Sequence, residues 1–144
     1  MNQNQIDEIE QKEFFEKVIP LRFSCLSSSG WPVILSLWYI YKDGKIYCAT
    51  QKNAKIIQHL KNNPKCAFEI AADSPPYKGV RGQGTVTLRD DLGNEILLEL
   101  IDKYLGNRNT SLAKFLLDQS DNEVCIEINP AKLFKWDYSQ RMGS

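Results

Sequence analysis

Two lysines flank the point where a predicted strand passes into a predicted helix, in the segment Thr50-Gln51-Lys52-Asn53-Ala54-Lys55. The free backbone N–H groups and the positive dipole end of a helix N-terminus favour an anion such as phosphate. A lysine there opposes the dipole by about 0.3–1 kcal/mol, so local stability alone would favour acidic residues. The pattern predicts a phosphate-binding site at Lys52 and Lys55, with two solvated lysines as the alternative.

Other residues that carry chemistry are sparse or dispersed. The four cysteines, Cys25, Cys48, Cys66 and Cys125, lie far apart in apolar stretches, which predicts buried, reduced thiols. His59 is the only histidine, so the sequence offers no second histidine for a typical zinc site. Neither a Walker-type glycine loop nor a Rossmann glycine triplet occurs, which argues against ATP and dinucleotides bound in those modes.

Charge and length restrict the classes of protein. Eighteen basic and 18 acidic residues, with a pI near 6.6, provide no large field for nucleic acid or anionic lipid. The longest apolar run, at residues 33–41, is about half of the roughly 20 residues that a spanning helix needs. The polar, acidic N-terminus does not resemble a signal peptide. We expect a soluble, cytoplasmic protein with one domain over residues 1–144 and no membrane or nucleic-acid partner.

Alternating polarity and turn chemistry predict a mainly β fold of the α+β class. A strand at residues 21–27 leads through Ser28-Ser29-Gly30 into a strand at 33–41 that is apolar on both faces and predicted to be covered on both sides. Asp43-Gly44 predicts a tight hairpin turn. Further strands are predicted at residues 45–50, 65–71, 80–88 and 123–128, and again after Pro130. We expect an antiparallel barrel of six or seven strands.

Helices are predicted around this barrel. An N-terminal helix is expected at about residues 5–18, one helix at 53–63, and a helical insert at about 94–118 whose second helix is capped by Thr110. Gly82 and Gly84 inside a predicted strand indicate a bulge, a barrel bend, or the close approach of another backbone or of a ligand. The apolar residues of the 33–41 strand and the 94–105 helix predict a surface that meets a second subunit.

The order of several short motifs resembles the pyridoxamine 5′-phosphate oxidase-like family, the FMN-binding split-barrel superfamily. The similarity covers residues 20–90 well and residues 132–139 loosely. The motifs are Trp31-Pro32-Val33, Trp38-Tyr39-Ile40-Tyr41, Asp43-Gly44-Lys45-Ile46-Tyr47, Lys55 with Asn63-Pro64, and Pro75-Pro76-Tyr77-Lys78-Gly79-Val80-Arg81 through Gly84. The resemblance implies a Greek-key split barrel that forms a homodimer with FMN in clefts at the interface.

The resemblance also implies which residues lie near the cofactor. The strand at residues 33–38 would run beside the isoalloxazine ring, the strand end at 48–50 would contact the cofactor, and Lys55 would hold its phosphate. Trp136 falls at a position that would suit an aromatic side chain near the cofactor, although packing in its own Phe-Trp-Tyr strand is the favoured role. The full set of expected cofactor residues is Val33, Ile34, Leu35, Ser36, Leu37, Trp38, Cys48, Ala49, Thr50, Lys52, Asn53, Lys55 and Trp136.

Departures from the family pattern leave the substrate open. Ala54, Trp38 and Gly79 replace an arginine, a lysine and a glutamine of true pyridoxamine phosphate oxidases, and the C-terminal arginine-rich motif is missing. The resemblance therefore implies an FMN-dependent oxidoreductase that acts on an unidentified small molecule without a catalytic side chain. Two alternatives remain: a non-catalytic module that binds flavin or haem, and a deazaflavin-dependent reductase.

Overall fold

Seven antiparallel strands and three α-helices make up residues 14–142, the part of the chain that this computed structural model describes. The strands are β1 (Leu21–Leu26), β2 (Pro32–Leu37), β3 (Ile40–Lys42), β4 (Lys45–Gln51), β5 (Lys65–Ala71), β6 (Lys78–Arg89) and β7 (Glu123–Asp137). The helices are α1 (Lys55–Asn62), α2 (Gly93–Leu105) and α3 (Ser111–Asp118). None of the helices within residues 14–142 is long and apolar enough to cross a membrane.

The sheet curls around one core to form a split barrel, in agreement with the predicted mainly β barrel fold. Its strand order is β2-β1-β5-β6-β7-β4-β3, so β2 and β3 are the two edge strands. Only Trp38 and Tyr39 separate them along the chain, and three Cα–Cα steps span at most about 11 Å. The two edges therefore lie close together. Inward-facing side chains from all seven strands and from α1 form one core.

Local turn chemistry sets two hairpins as predicted. β1 pairs antiparallel with β2, with Leu21 opposite Leu37. β3 pairs with β4 through Asp43 and Gly44, whose φ angles are 51° and 83°. Glycine adopts positive φ without a steric penalty, and a turn with two such residues matches the right-handed twist of paired strands.

The two glycines of β6 lie where other backbone approaches closely. A Cβ atom on Gly82 would be 2.5 Å from the Lys132 carbonyl oxygen, and one on Gly84 would be 2.2 Å from the Asn129 carbonyl oxygen. The register between β6 and β7 also shifts between Gln83 and Gly84. The bulge and the close approach expected from these glycines are both confirmed.

The prediction of a single strand at residues 33–41, covered on both sides, is wrong. The structure divides it at Trp38 and Tyr39 into β2 and β3, which lie on opposite edges of the sheet. The Tyr39 backbone N–H and carbonyl bond to side chains of α2, which replace a neighbouring strand at this point. The outer face of β2 is uncovered within the described chain, where Ile34 is 73% exposed.

The prediction that a strand ends before Pro130 is also wrong, because β7 continues through this proline. Gly84 of β6 is opposite Pro130, whereas the preceding Gln83 is opposite Lys132, so Ala131 is the extra residue of a bulge. A bulge accommodates proline because the ladder is interrupted there and a missing N–H costs little. The two predicted C-terminal strands are therefore one strand.

The helices at residues 53–63 and within 94–118 are confirmed with small shifts, and Thr110 caps α3 by accepting the Ala113 N–H at 3.0 Å. The expected N-terminal helix falls largely outside the described residues, which begin with helix at Phe14 and Phe15 and are no longer helical at Val18. The apolar face of α2 is used within the chain against β7 and α3. It therefore gives no support to a dimer.

Candidate functional site

The predicted anion site lies at the junction between β4 and α1. β4 ends at Gln51, the Ala54 N–H donates to the Gln51 carbonyl at 3.0 Å, and α1 begins at Lys55. No side chain caps this end of α1, and its first turn contains no acidic residue. Because the first N–H groups of a helix lack intrahelical acceptors, this helix end remains available to an anion.

Three polar side chains surround the helix end. Lys52, Asn53 and Lys55 are all exposed, and the Lys52 N–H donates to the Asn122 carbonyl at 2.8 Å, which fixes the turn. Neither lysine forms an ion pair within residues 14–142. Two ammonium groups and a helix N-terminus without carboxylate partners suit a dianion, which they can share through charge-assisted hydrogen bonds.

The barrel wall is open beside this junction. β2 is bonded to β1 on one edge and to no described strand on the other. β3 pairs with β4 only over Lys45–Tyr47, so residues 48–51 of β4 lack a partner strand on that edge among the described residues. α1 contributes Ile56, Ile57 and Leu60 to the barrel core. The wall is therefore completed by a helix here, and two strand edges keep backbone donors and acceptors unpaired.

The side chains of β2 alternate between the core and the outside. Those that pack against the core are Val33, Leu35 and Leu37. Ile34 and Ser36 face outwards, and the Arg22 guanidinium donates to the Ser36 hydroxyl. A ligand along this strand would meet the backbone edge and this outer pair, because the three inward side chains are committed to packing.

The end of β4 offers mainly its backbone. Cys48 is fully buried in the barrel core, and burial raises the pKa of its thiol. Ala49 packs on the opposite face, beneath α2, and Thr50 is half-buried. The predicted contacts of residues 48–50 with a ligand are therefore restricted to the open strand edge and to Thr50.

Trp38 is held in place by α2. Its ring stacks on Tyr104, with 4.9 Å between ring centroids and an interplanar angle of 5°. The Tyr104 hydroxyl donates to the Ile19 carbonyl at 2.7 Å and accepts the Tyr39 N–H at 3.3 Å. These contacts hold the bend between β2 and β3. Stacking of Trp38 on Tyr104 therefore helps to fix the position of the β2 edge.

Lys103 reinforces the same bend. Its ammonium donates to the Tyr39 carbonyl at 2.9 Å and to the Phe15 carbonyl at 3.4 Å, and it lies 3.7 Å from the centroid of the Tyr39 ring. Burial lowers the pKa of Lys103 to about 8. The sequence analysis missed Lys103 and Tyr104, whose partners are 64 and 85 residues away along the chain, and no local pattern marks them.

A buried carboxyl group fixes the other side of the junction. Glu123 is 7% exposed, lies opposite Gln51 in the β4–β7 ladder, and accepts a hydrogen bond from the Gln51 side-chain amide. Burial raises the pKa of Glu123. The Gln51 amide also donates to the Gln119 carbonyl at 3.5 Å, so these contacts hold the end of β4 where the predicted phosphate site begins.

Trp136 lies near the opposite end of β7 from the residues that pair with the end of β4. Thr50 is opposite Val124 at the start of β7, whereas Trp136 is opposite Gly79 near its end. At about 3.3 Å per residue, these two points of β7 are separated by roughly 40 Å of strand. The indole Nε1 of Trp136 is the only buried side-chain nitrogen or oxygen among the described residues without a hydrogen-bond partner.

The outer face of the sheet contains a cavity that the sequence analysis did not identify. Its volume is about 580 Å³. Arg22, Arg81 and Lys132 supply positive charge to its wall, Glu69 supplies negative charge, and Ile34 and Phe134 supply apolar surface. Alternation along β1, β5, β6 and β7 places such residues outside the barrel, but it does not reveal that they surround one depression.

Together, these features define a split antiparallel barrel with an uncapped helix N-terminus at the end of β4. Lys52, Asn53, Lys55 and the end of β4 meet there. Trp38 packs against Tyr104 of α2, and Trp136 lies near the C-terminal end of β7. A family model described as pyridoxamine 5′-phosphate oxidase matches residues 8–137. The chain belongs to this family.

Solved structures with the same fold cover nearly whole chains. The conserved hypothetical protein Rv2991 from Mycobacterium tuberculosis is 19% identical, with 100% of this chain and 92% of that chain covered and a TM-score of 0.82. An F420 reductase is 18% identical, with 85% and 94% covered and a TM-score of 0.72. HutZ, the heme storage protein from Vibrio cholerae, is 15% identical, with 88% and 92% covered and a TM-score of 0.68. No curated protein matches the chain.

Proposed function

We propose that this protein is an FMN-binding oxidoreductase that transfers hydride or electrons to or from a small molecule. The observation that carries the proposal is the cluster of Lys52, Lys55 and an uncapped helix N-terminus beside two open strand edges. Family membership supports a flavin as the ligand. FMN combines a phosphate, which could occupy the helix end, with a flat ring, which could lie along the open edge of β2.

The residues present fit such a group. Lys52, Lys55 and the first N–H groups of α1 would hold the phosphate, and the unpaired edge of β2 would hydrogen-bond to the polar rim of the ring. When bound, FMN supplies the redox chemistry itself. The protein binds and orients it, and the neighbouring apolar surface excludes water. Tyr104 and Lys103 act as positioning residues through the bend after β2.

A phosphate-dependent loss of affinity tests the proposal. Lys55→Glu is expected to weaken FMN binding by about 30- to 100-fold, because it removes a charge-assisted contact and adds repulsion. Riboflavin, which lacks the phosphate, should bind the variant about as well as it binds the wild type. Fluorescence titration with both ligands measures the two affinities.

Lys61→Glu is the matched control for this experiment. Lys61 lies in the last turn of α1 and is exposed, so the same charge reversal should leave FMN affinity within about twofold, given the Debye length of about 8 Å at physiological ionic strength. An equal loss of FMN and riboflavin in Lys55→Glu would refute the phosphate role. Absence of FMN binding by the wild-type protein would refute the proposed function.

The proposal includes a homodimer with the flavin at its interface. The outer cavity combines positive and negative side chains that a two-fold related copy can complement. Trp31 and Ile34, which are 76% and 73% exposed, provide apolar surface on the adjacent β2 hairpin. A second chain would bury this apolar surface.

Sedimentation velocity tests the dimer. The wild type is expected at twice the 16.5 kDa chain mass, and Ile34→Glu should shift the population towards monomer because it places a charge in an apolar contact. Phe115→Glu is the control, since Phe115 is 60% exposed on α3, outside the proposed face. A wild-type protein that sediments only as a monomer would contradict the dimer.

A deazaflavin cofactor is the second candidate, favoured by the fold shared with the F420 reductase. A competition titration of FMN against F420 decides between the two. A non-catalytic binding role is the third, favoured by the fold shared with the heme storage protein. Steady NAD(P)H oxidation by the FMN-loaded protein would establish turnover, and preferential haem binding without turnover would support storage.

A further inference from the structure

Cys25 and Cys66 are direct neighbours across two strands. Cys25 of β1 is opposite Cys66 of β5 in the antiparallel ladder. Both face the barrel core, where they are 3% and 8% exposed. The sequence separates these thiols widely, and only the pairing of β1 with β5 brings them together.

The spacing of such a pair suits a disulfide. Residues directly opposite in an antiparallel pair have Cβ atoms about 4.5–5.5 Å apart, and a disulfide requires about 3.5–4.5 Å between Cβ atoms and about 4.4–6.8 Å between Cα atoms. A small local approach of β1 and β5 is enough to join the two sulfur atoms. Both cysteines are free thiols in the structure.

We propose that Cys25 and Cys66 form a redox-active dithiol that a hydroperoxide converts to a cross-strand disulfide. The observation that carries this is their direct opposition on one face of the sheet. The proposal does not depend on the identity of the cofactor.

A groove lies on the outer side of the sheet behind this pair. Its volume is about 480 Å³, and its lining includes Lys65, Gln83 and Thr85 together with Cys25 and Cys66. The side chains of both cysteines point away from this groove into the barrel core. Hydrogen peroxide is little larger than water, and it reaches the two thiols when β1 and β5 open locally.

The two thiols should be oxidised more slowly than ordinary reactive cysteines. Burial raises the pKa of Cys66 to about 12, partly countered by the backbone N–H of Gly84, and burial also raises the pKa of Cys25. The thiolate is the reacting form. Oxidation is therefore slow near neutral pH and accelerates as the pH rises.

The reaction balances with peroxide as the only oxidant. The Cys66 thiolate attacks one peroxide oxygen, the O–O bond breaks, and the released hydroxide takes a proton to become water, leaving a sulfenic acid on Cys66. The Cys25 sulfur then attacks this sulfur, the S–O bond breaks, and a second water leaves with the Cys25 proton. The two thiols lose two electrons, and one peroxide is reduced to two waters.

The other two cysteines provide an internal comparison. Cys48 is opposite Ile126, and Cys125 is opposite Ala49, so they occupy adjacent rows of the β4–β7 ladder. Cys48 belongs to the barrel core, whereas Cys125 packs beneath α2 on the other face. Side chains on opposite faces of a sheet cannot be joined without backbone movement.

A disulfide here would affect the region assigned to the cofactor. The chain between Cys25 and Cys66 contains β2, β3, β4 and α1, which carry the open strand edges and both site lysines. Oxidation would close this segment into a covalent loop. It should therefore raise the melting temperature by roughly 5–10 °C, because the loop restricts the unfolded chain.

Peptide mapping of the wild-type protein tests the proposal without any variant. After prolonged exposure to hydrogen peroxide at about pH 9, the protein should lose the mass of two hydrogen atoms, retain two of its four free thiols, and yield one linked peptide pair containing Cys25 and Cys66. Reduction with dithiothreitol should restore all four thiols and the original melting temperature.

Two variants complete the test. Cys25→Ala should abolish the linkage, whereas a Cys48→Ala, Cys125→Ala double variant should still form it. Four free thiols after oxidation, a linkage that involves Cys48 or Cys125, or oxygen addition without any linkage would each overturn the proposal.

Discussion

Replacing Gly93 with alanine should lower the free energy of unfolding by about 3 kcal/mol or more. A Cβ atom at Gly93 would lie 2.1 Å from the carbonyl oxygen of Glu123 and 2.5 Å from its carbonyl carbon. Both are backbone atoms, so relief requires movement of α2 or of the start of β7. Gly93 has ordinary helical angles, φ −55° and ψ −51°, and helix propensity alone would favour alanine by about 1 kcal/mol. We expect the clash to outweigh this gain.

Urea unfolding at equilibrium measures the effect. Asn94→Ala is the matched control, because Asn94 is the next residue of α2 and is exposed. Its free energy of unfolding should stay within about 0.5 kcal/mol of the wild type. If Gly93→Ala proved as stable as the control, the close packing of α2 on β7 would be wrong.

Alkaline pH should destabilise the protein steeply, because buried thiols keep their protons in the folded state. Burial raises the pKa of Cys66 and Cys125 from 9.0 to about 12, and it raises that of Cys48 as well. The unfolded chain releases these protons above about pH 9, whereas the folded chain retains them. This contribution to stability is complete below about pH 9 and is lost as the pH rises towards 12.

The number of protons that the thiols and Lys103 contribute decides whether stability rises or falls with pH. Each retained proton lowers the free energy of unfolding by about 1.4 kcal/mol per pH unit, so Cys48, Cys66 and Cys125 together give about 4 kcal/mol per unit. Burial also raises the pKa of Cys25, Tyr39 and Tyr104, which act in the same direction. Lys103 acts in the opposite direction, because burial lowers its pKa from 10.5 to about 8 and the folded state releases its proton first. Between pH 8 and pH 10.5, the proton released by Lys103 therefore offsets the contribution of about one thiol to the loss of stability. A net loss of about 2–3 kcal/mol per pH unit remains near pH 10.

Urea unfolding in a reducing buffer at pH values from about 8 to 10.5 gives this slope. Cys66→Ala should reduce the slope by about one proton, whatever the change does to stability at neutral pH. The slope, rather than the absolute stability, is the readout, because removal of the thiol also leaves a small cavity. Stability that is independent of pH across this range would contradict burial of the thiols.

Local chemistry in the sequence was sufficient to predict much of the fold. Asp43-Gly44 specified its turn because both residues tolerate positive φ. Gly82 and Gly84 predicted close approach because a side chain there would strike β7. The phosphate site at Lys52 and Lys55 stays a prediction, and it rests on lysines at a helix N-terminus, which contradict the usual preference for acidic residues. In each case, a few adjacent residues carried the whole signal.

Long-range contacts explain what the sequence could not predict. The break after β2 depends on Tyr104 and Lys103, which bond to the backbone of Tyr39 from a distant helix. Passage of β7 through Pro130 depends on the bulge opposite Gly84. The pairing of Cys25 with Cys66 requires knowledge of which strands are neighbours. In none of these cases are the interacting residues close neighbours in the sequence.

The position of β7 sets a constraint on biosynthesis. This strand is the shared neighbour of β4 and β6, yet it comes after every other strand in the described chain. While the polypeptide emerges from the ribosome, β4 and β6 therefore each present an unpaired edge until residues 123–137 follow. Exposed edges of this kind recruit other chains, so nascent protein should depend on chaperones until its last strand is in place.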